Sequence, residues 1–205
     1  MKIIGVNGSP NPQGNTYMVI QTLFDELHKE GVETELVQVG DGSIAGCRAC
    51  RACAETGECA FRDEQFTEIS NKLQSADGLF LAAPVYFGTM PGQTKAFLDR
   101  FFFQCSRAGK MRHKVGASAA ILRRTGGYTT IDDLNRFLFS AEMITVGHCI
   151  IHGNLPGEIQ QDAEGLSILR RTAKNMAWIL KMKEATKDDI SPPAFEKRPF
   201  MNFIR

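Results

Sequence analysis

The chain has 205 residues, of which 43% are apolar and 23% charged, and its formal net charge is +1. Those proportions belong to a folded globular protein with enough chain for a proper core, and they exclude a disordered one. The near-neutral balance provides no field to gather nucleic acid or an anionic membrane, and no window nears the roughly 20 apolar residues of a membrane helix. The opening run from Met1 to Gly8 is too short for the core of a signal peptide, so the expected location is the cytoplasm. In that reducing compartment clustered cysteines point to metal or redox work rather than to disulfides. Four of the six cysteines, Cys47, Cys50, Cys53 and Cys59, fall in one short segment.

Strands alternate with helices along the chain. Lys2 to Asn7 reads as a short buried strand, followed by a turn-rich loop and a helix from about Thr16. That helix carries Ile20, Leu23, Phe24 and Leu27 on one face and closes at Gly31. Thr34 to Val39 is a strand of mixed polarity, as expected at a sheet edge. After the cysteine segment comes a helix from about Glu64 to Ala76, with Phe66, Ile69 and Leu73 aligned. Gly78 to Ala83 is a continuous apolar strand, and a helix spans about Gln93 to Cys105. Val115 to Leu122 is the fourth strand, Thr130 to Ala141 a helix, and Ile144 to Ile151 the fifth strand. The last helix runs from about Gln161 to Lys183, with Leu166, Leu169, Ala173, Met176 and Leu180 inward. Residues 1–187 thus read as one domain with a cysteine-rich insert at about 41–62. Residues 188–205 read as a tail that could lie across a neighbouring subunit.

Five strands separated by helices imply an α/β fold with a parallel sheet covered on both faces. In such a sheet ligands bind beyond the carboxyl ends of the strands, where the strand order reverses. The loops after strands one, three and four are therefore the places to search. The first, Gly8-Ser9-Pro10-Asn11-Pro12-Gln13-Gly14-Asn15-Thr16, offers small hydroxyl and amide side chains ahead of a helix N-terminus, a site for an anion. It has no lysine for a nucleoside triphosphate and no Gly-x-Gly-x-x-Gly for a pyrophosphate, so a phosphate monoester fits best. An ordinary capped βα turn is the alternative. The second loop, Pro84-Val85-Tyr86-Phe87-Gly88, places two aromatics and a glycine where a planar ring could pack, unless Tyr86 and Phe87 serve only a core or an interface. The third, Arg123-Arg124-Thr125-Gly126-Gly127-Tyr128, adds cations, glycines and another aromatic at the same edge.

These three loops resemble the flavin loops of the NAD(P)H-dependent FMN reductase and iron–sulfur flavoprotein families, in order over about the first 150 residues. The resemblance implies a flavodoxin-like three-layer sandwich with a five-stranded parallel sheet in the order 2-1-3-4-5. It implies that Ser9, Asn11, Gly14, Asn15 and Thr16 hold an FMN phosphate, that Pro84, Val85, Tyr86, Phe87 and Gly88 border the isoalloxazine ring, and that Arg124, Thr125, Gly126, Gly127 and Tyr128 close its other side. Many relatives carry Gly-Gly-Gln-Glu in the third loop, where this chain has Gly126-Gly127-Tyr128-Thr129.

The cysteine run spaces Cys47, Cys50 and Cys53 at three-residue steps, and Cys59 follows after a short loop containing Gly57. Four thiolates so arranged are what a [4Fe–4S] cluster requires, and Arg48 and Arg51 between them would lower the thiol pKa values and offset the cluster's charge. The spacing also matches the compact motif of iron–sulfur flavoproteins. A structural zinc, for which two separated pairs are usual, and a remnant without metal stay open as alternatives. Cys105 and Cys149 read as small buried hydrophobes. His148 and His152, on a strand and its exit, lack a third ligand nearby. Asp132 and Asp133 are expected to open a helix and offset its dipole.

The expectation is an FMN-dependent oxidoreductase that exchanges electrons between NAD(P)H or a ferredoxin-like protein and a small acceptor. No NAD(P)H motif is recognisable in the chain, and the rival readings are a plain NAD(P)H-dependent FMN or quinone reductase without a cluster, a non-enzymatic electron carrier, and a flavin- or metal-binding protein without turnover. A homodimer or homotetramer is expected, with one subunit's cluster brought to another's flavin.

Overall fold

Every residue of Val115–Leu122 is buried, the mark of a strand covered on both faces. It is β4 of a five-stranded parallel sheet ordered β2-β1-β3-β4-β5. The other strands are β1 (Lys2–Asn7), β2 (Glu33–Gln38), β3 (Gly78–Pro84) and β5 (Ile144–His152). The helices are α1 (Asn15–Lys29), the single turn α2 (Cys53–Thr56), α3 (Glu64–Ser75), α4 (Gly92–Arg107), α5 (Gly127–Ser140) and α6 (Ala163–Thr186). This computed structural model describes residues 1–196 apart from Ser43, Arg62 and the side chain of Arg107.

Alternation along the strands sends side chains to two cores. Ile4, Val6, Leu79, Leu81 and Ala83 pack with Phe66, Phe97, Phe101 and Leu134 beneath α3, α4 and α5. Ile3, Phe80, Ala117, Ala119 and Ile121 pack with Leu23, Leu27, Leu169 and Met176 beneath α1 and α6. The polar β2 does lie at an edge. Strand order reverses between β1 and β3, so the crevice at their carboxyl ends lies between the first and second loops.

Two helices begin elsewhere than the sequence pattern suggests. Gly126 takes a left-handed φ of 89° and lets α5 start at Gly127, which places Asp132 and Asp133 in its second turn rather than at its opening. At the last helix, a short 3-10 turn at Glu158–Gln161 comes first, and Asp162 then caps α6 by accepting from the Gly165 N–H at 2.8 Å. Residues 191–196 are not helical and lie against their own chain. Arg112 Nη1 and Nη2 reach the Pro193 and Ala194 carbonyls at 3.5 Å, and its guanidinium lies 5.2 Å from the Phe195 ring. The rest of the expected tail, 197–205, is outside the described residues. No helix among the described residues is long and apolar enough to cross a membrane.

Candidate functional site

The first loop is held by its own short polar side chains. Asn7 Oδ1 accepts from the Ser9 N–H at 3.0 Å, Ser9 Oγ from Asn11 at 3.1 Å, and Asn11 Oδ1 from Gln13 at 3.1 Å. These successive turns wind the chain toward α1. Neighbouring elements then fix the loop's height above the sheet. Thr94 Oγ1 donates to the Gly8 carbonyl at 2.6 Å, and Gln38 Nε2 to the Ser9 carbonyl at 2.5 Å. Among the described residues no side chain caps α1 and its first turn holds no acid, so its leading N–H groups suit an anion. The buried Asn7 Nδ2 beside the loop has no partner among the described residues. A buried donor without an acceptor fits a cradle for an oxygen-rich group.

Asn15 behaves differently from the other residues of this loop. Its amide is spent on a segment far along the chain, donating to the Leu155 carbonyl at 2.9 Å and accepting from the Gly157 N–H at 2.8 Å. Its side chain therefore ties the loop to the segment after β5. Thr16 is buried, as is Ser9.

The second loop is a tight turn closed by the Tyr86 N–H on the Thr89 carbonyl at 2.7 Å, with Phe87 and Gly88 both at positive φ. The turn pushes the Phe87 ring wholly into solvent and leaves Tyr86 half exposed. Its base is fixed by the Val85 N–H on Ile121 O at 2.9 Å and by Thr89 Oγ1 donating to Asp133. The helical aspartate thus has a positioning role that its place in the sequence does not disclose. The third loop sits directly against this turn. A side chain on Gly126 would meet Val85 Cγ1 and the Gly88 backbone, and one on Gly127 would meet Ile150. Arg124, Thr125 and Tyr128 are exposed beside it. On its far side a cleft of about 580 Å³ opens over β5, lined in part by Tyr128, His148, His152 and Asp162. The two histidines share it because residues at even spacing on a strand share a face. Asp162 accepts from the His152 N–H at 2.7 Å. Its carboxyl is desolvated by burial, but bonds from His152 and Gly165 outweigh that and keep its pKa low.

Cys47, Cys50, Cys53 and Cys59 line one pocket together with Arg48, Arg51, Arg100 and Gln104. Cys47 and Cys50 are exposed, Cys59 is half-buried, and Cys53 is buried at the start of α2. Burial raises the Cys53 pKa, and the charges of Cys59, Cys47 and Cys50 push it the same way. The linking residues Ala49 and Arg51 hold left-handed backbone at φ 54° and 64°. Such strain in non-glycine residues persists where surroundings over-determine it, commonly at ligand sites. Among the described residues no three histidine, cysteine, aspartate or glutamate side chains are set to hold a single metal ion.

A family model described as NADPH-dependent FMN reductase matches residues 1–154. The chain belongs to that family. Among its relatives, an iron–sulfur flavoprotein of Methanocaldococcus jannaschii is 36% identical over 193 residues, covering 89% of this chain and 98% of that one. An iron–sulfur flavoprotein of Methanosarcina thermophila is 31% identical over 191 residues, covering 92% and 100%. Membership makes the chain an FMN-dependent oxidoreductase. The fold agrees with that of RosB, solved with 8-demethyl-8-formylriboflavin-5'-phosphate, at a TM-score of 0.70 and 17% identity over 100% of this chain and 95% of that one. It agrees too with a flavodoxin from the Archaea, at a TM-score of 0.58 and 12% identity over 88% and 99%.

Within this family member the least expected residue is Arg100. It projects from α4 and is 2% exposed. Its Nε donates to Cys59 Sγ at 3.2 Å and its Nη1 to Asp63 Oδ2 at 2.5 Å and Ala45 O at 3.3 Å, while Nη2 bonds the Phe61 carbonyl. Its guanidinium lies 3.7 Å from the centre of the Phe66 ring. Burial works against the charge, but the bonds from Cys59 and Asp63 hold its pKa above the ordinary arginine value. The available sequence signal is an arginine on an otherwise apolar face that includes Phe97 and Phe101. Arg48, by contrast, is exposed and stacks 3.8 Å above the Phe61 ring.

Proposed function

We propose that this flavoprotein carries FMN at the carboxyl edge of the sheet and a [4Fe–4S] cluster on Cys47, Cys50, Cys53 and Cys59. It would pass electrons between NAD(P)H or a ferredoxin-like donor and a small acceptor. The observation that carries the cluster is the single pocket shared by all four thiols, with a buried cation bonded to one of them. A zinc ion would draw its four ligands around one point. Such zinc sites usually draw on two separated pairs, whereas Cys47, Cys50 and Cys53 follow at successive three-residue steps, a spacing that suits a cluster. When bound, FMN would supply two-electron exchange with a hydride donor, and the cluster single-electron exchange.

The chain's own residues would bind, orient and shield these groups. The N-terminus of α1, with Ser9, Asn11, Gly14 and Thr16, would hold the phosphate, and Asn15 would steady that loop through Leu155 and Gly157. Pro84 to Gly88 and Arg124 to Tyr128 would border the ring, with Arg124 offsetting negative charge there. No acid–base residue is required of the protein. Free thiols of this kind suit the cytoplasm. A homodimer or homotetramer that sets one subunit's cysteine pocket near another's flavin loops completes the proposal.

The test is iron, acid-labile sulfide and flavin analysis, with an absorption spectrum, on protein purified without oxygen. About four iron and one FMN per chain are expected, and Cys50→Ala should lose the iron while keeping the flavin. Flavin without iron would leave a plain NAD(P)H-dependent FMN or quinone reductase. Electron transfer only with a protein donor, and none with NAD(P)H, would assign a carrier instead.

A further inference from the structure

Arg100 is a cation withdrawn from water, and the carboxylate beside it, Asp63, is 42% exposed. Asp63 alone, half in solvent, would compensate such a charge poorly, and an apolar side chain of similar volume could pack there instead. Its remaining contacts explain its presence. Two N–H groups hold the carbonyls of Ala45 and Phe61, which flank the cysteine run on either side, and a third points at Cys59 Sγ. The face of Phe66 supplies further negative potential without adding a charge.

We propose that Arg100 is a positioning residue that sets the reduction potential of the cysteine-bound centre through its Nε–H bond to Cys59 Sγ. The inference rests on the cluster reading above. Reduction adds one negative charge to a centre ligated by four thiolates. A hydrogen bond to a ligand sulfur, from a cation held in a water-poor site, stabilises that added charge and makes reduction easier. Arg48 and Arg51 carry the same charge beside the same pocket but are exposed, where solvent and salt screen them. The influence is therefore concentrated in Arg100.

The experiment is an anaerobic redox titration of wild type, Arg100→Gln, Arg100→Lys and Arg48→Gln. The cluster is followed by electron paramagnetic resonance, the flavin by absorbance, and iron is counted in every sample. Arg100→Gln should keep its iron and an unchanged flavin potential, while its cluster's reduction equilibrium falls at least tenfold, 59 mV for a one-electron couple. Arg100→Lys should fall part of the way, and Arg48→Gln by less than about threefold, as expected for a screened charge. A fully loaded Arg100→Gln within threefold of wild type overturns the inference. So does loss of iron from both Arg100 variants, which would make the residue a loop clasp only. Wild-type protein without iron would sink the cluster reading itself, and it is told apart from the other outcomes by the iron count.

Discussion

Gly126 approaches Gly88 so closely that a Cβ on Gly126 would lie 2.8 Å from the Gly88 Cα and 2.9 Å from its carbonyl oxygen. The third loop is therefore stacked backbone on backbone against the second. Gly126 also holds a φ of 89°, a conformation that costs a residue with a side chain about 1–3 kcal/mol. Gly126→Ala should lower the melting temperature of the apoprotein by about 2–4 °C for each kcal/mol lost. It should also weaken FMN at least tenfold, about 1.4 kcal/mol, read by quenching of flavin fluorescence. Unchanged FMN affinity in a destabilised variant would separate this contact from the flavin.

Gly40 performs the corresponding service for the first loop. A Cβ there would lie 2.4 Å from the Gly8 carbonyl oxygen and from the Ser9 backbone, atoms that cannot turn aside. Gly40→Ala should lift the loop off the end of β2 and disturb the turns that aim it at α1. If the proposed phosphate site lies there, affinity for FMN should drop while affinity for riboflavin, which has no phosphate, barely moves. Equal losses for both ligands would show that this loop does not hold the phosphate.

Asp162 links stability to pH. Burial desolvates its carboxyl, yet N–H bonds from His152 and Gly165 hold its pKa below the ordinary 3.8. A group depressed in the folded state contributes stability above its unfolded pKa and loses it as the pH falls through the folded value. Asp162→Ala removes a helix cap and should cost about 0.5–2 kcal/mol at pH 7. Melting curves of wild type and variant should stay separated down to about pH 4 and converge below it, since the unfolded aspartate titrates near 3.9. A gap that persists unchanged at pH 2.5 would assign the loss to packing.

The loops and the cysteine run are legible in the sequence because each is a local pattern. Ser9, Asn11 and Asn7 bond within two residues of themselves, so the turn they form is written where it occurs. A parallel sheet follows from alternating elements and handed crossovers, its strand order from the family resemblance, and the mixed polarity of Glu33–Gln38 marks the edge. What the sequence conceals is long-range pairing of polar side chains. Asn15 looks like a phosphate ligand but spends its amide on residues some 140 positions away. Asp133 looks like a dipole-offsetting residue but fixes Thr89, and Arg100 is a helix charge whose partners lie about 40 to 55 positions earlier. Each requires packed neighbouring elements before its partner is in reach, and no periodicity records that.

The six thiols should differ in reactivity according to how open each is to reagent. Burial pushes the Cys105 thiol up to about 12 and the Cys149 thiol up to about 11, which leaves almost no thiolate at neutral pH. Both side chains are also closed to reagent. In iron-free protein at pH 7.5, iodoacetamide followed by mass spectrometry should therefore label Cys47 and Cys50 first. Cys59 should come next and Cys53 later, its pKa being raised by burial and by the other three thiols. Cys105 and Cys149 should stay unlabelled until denaturant is added. In protein holding four iron, labelling of the first four should be suppressed together, because one centre would occupy every sulfur. Protection of only two of them would point to a smaller site, and protection of none to a pocket whose thiols act without metal.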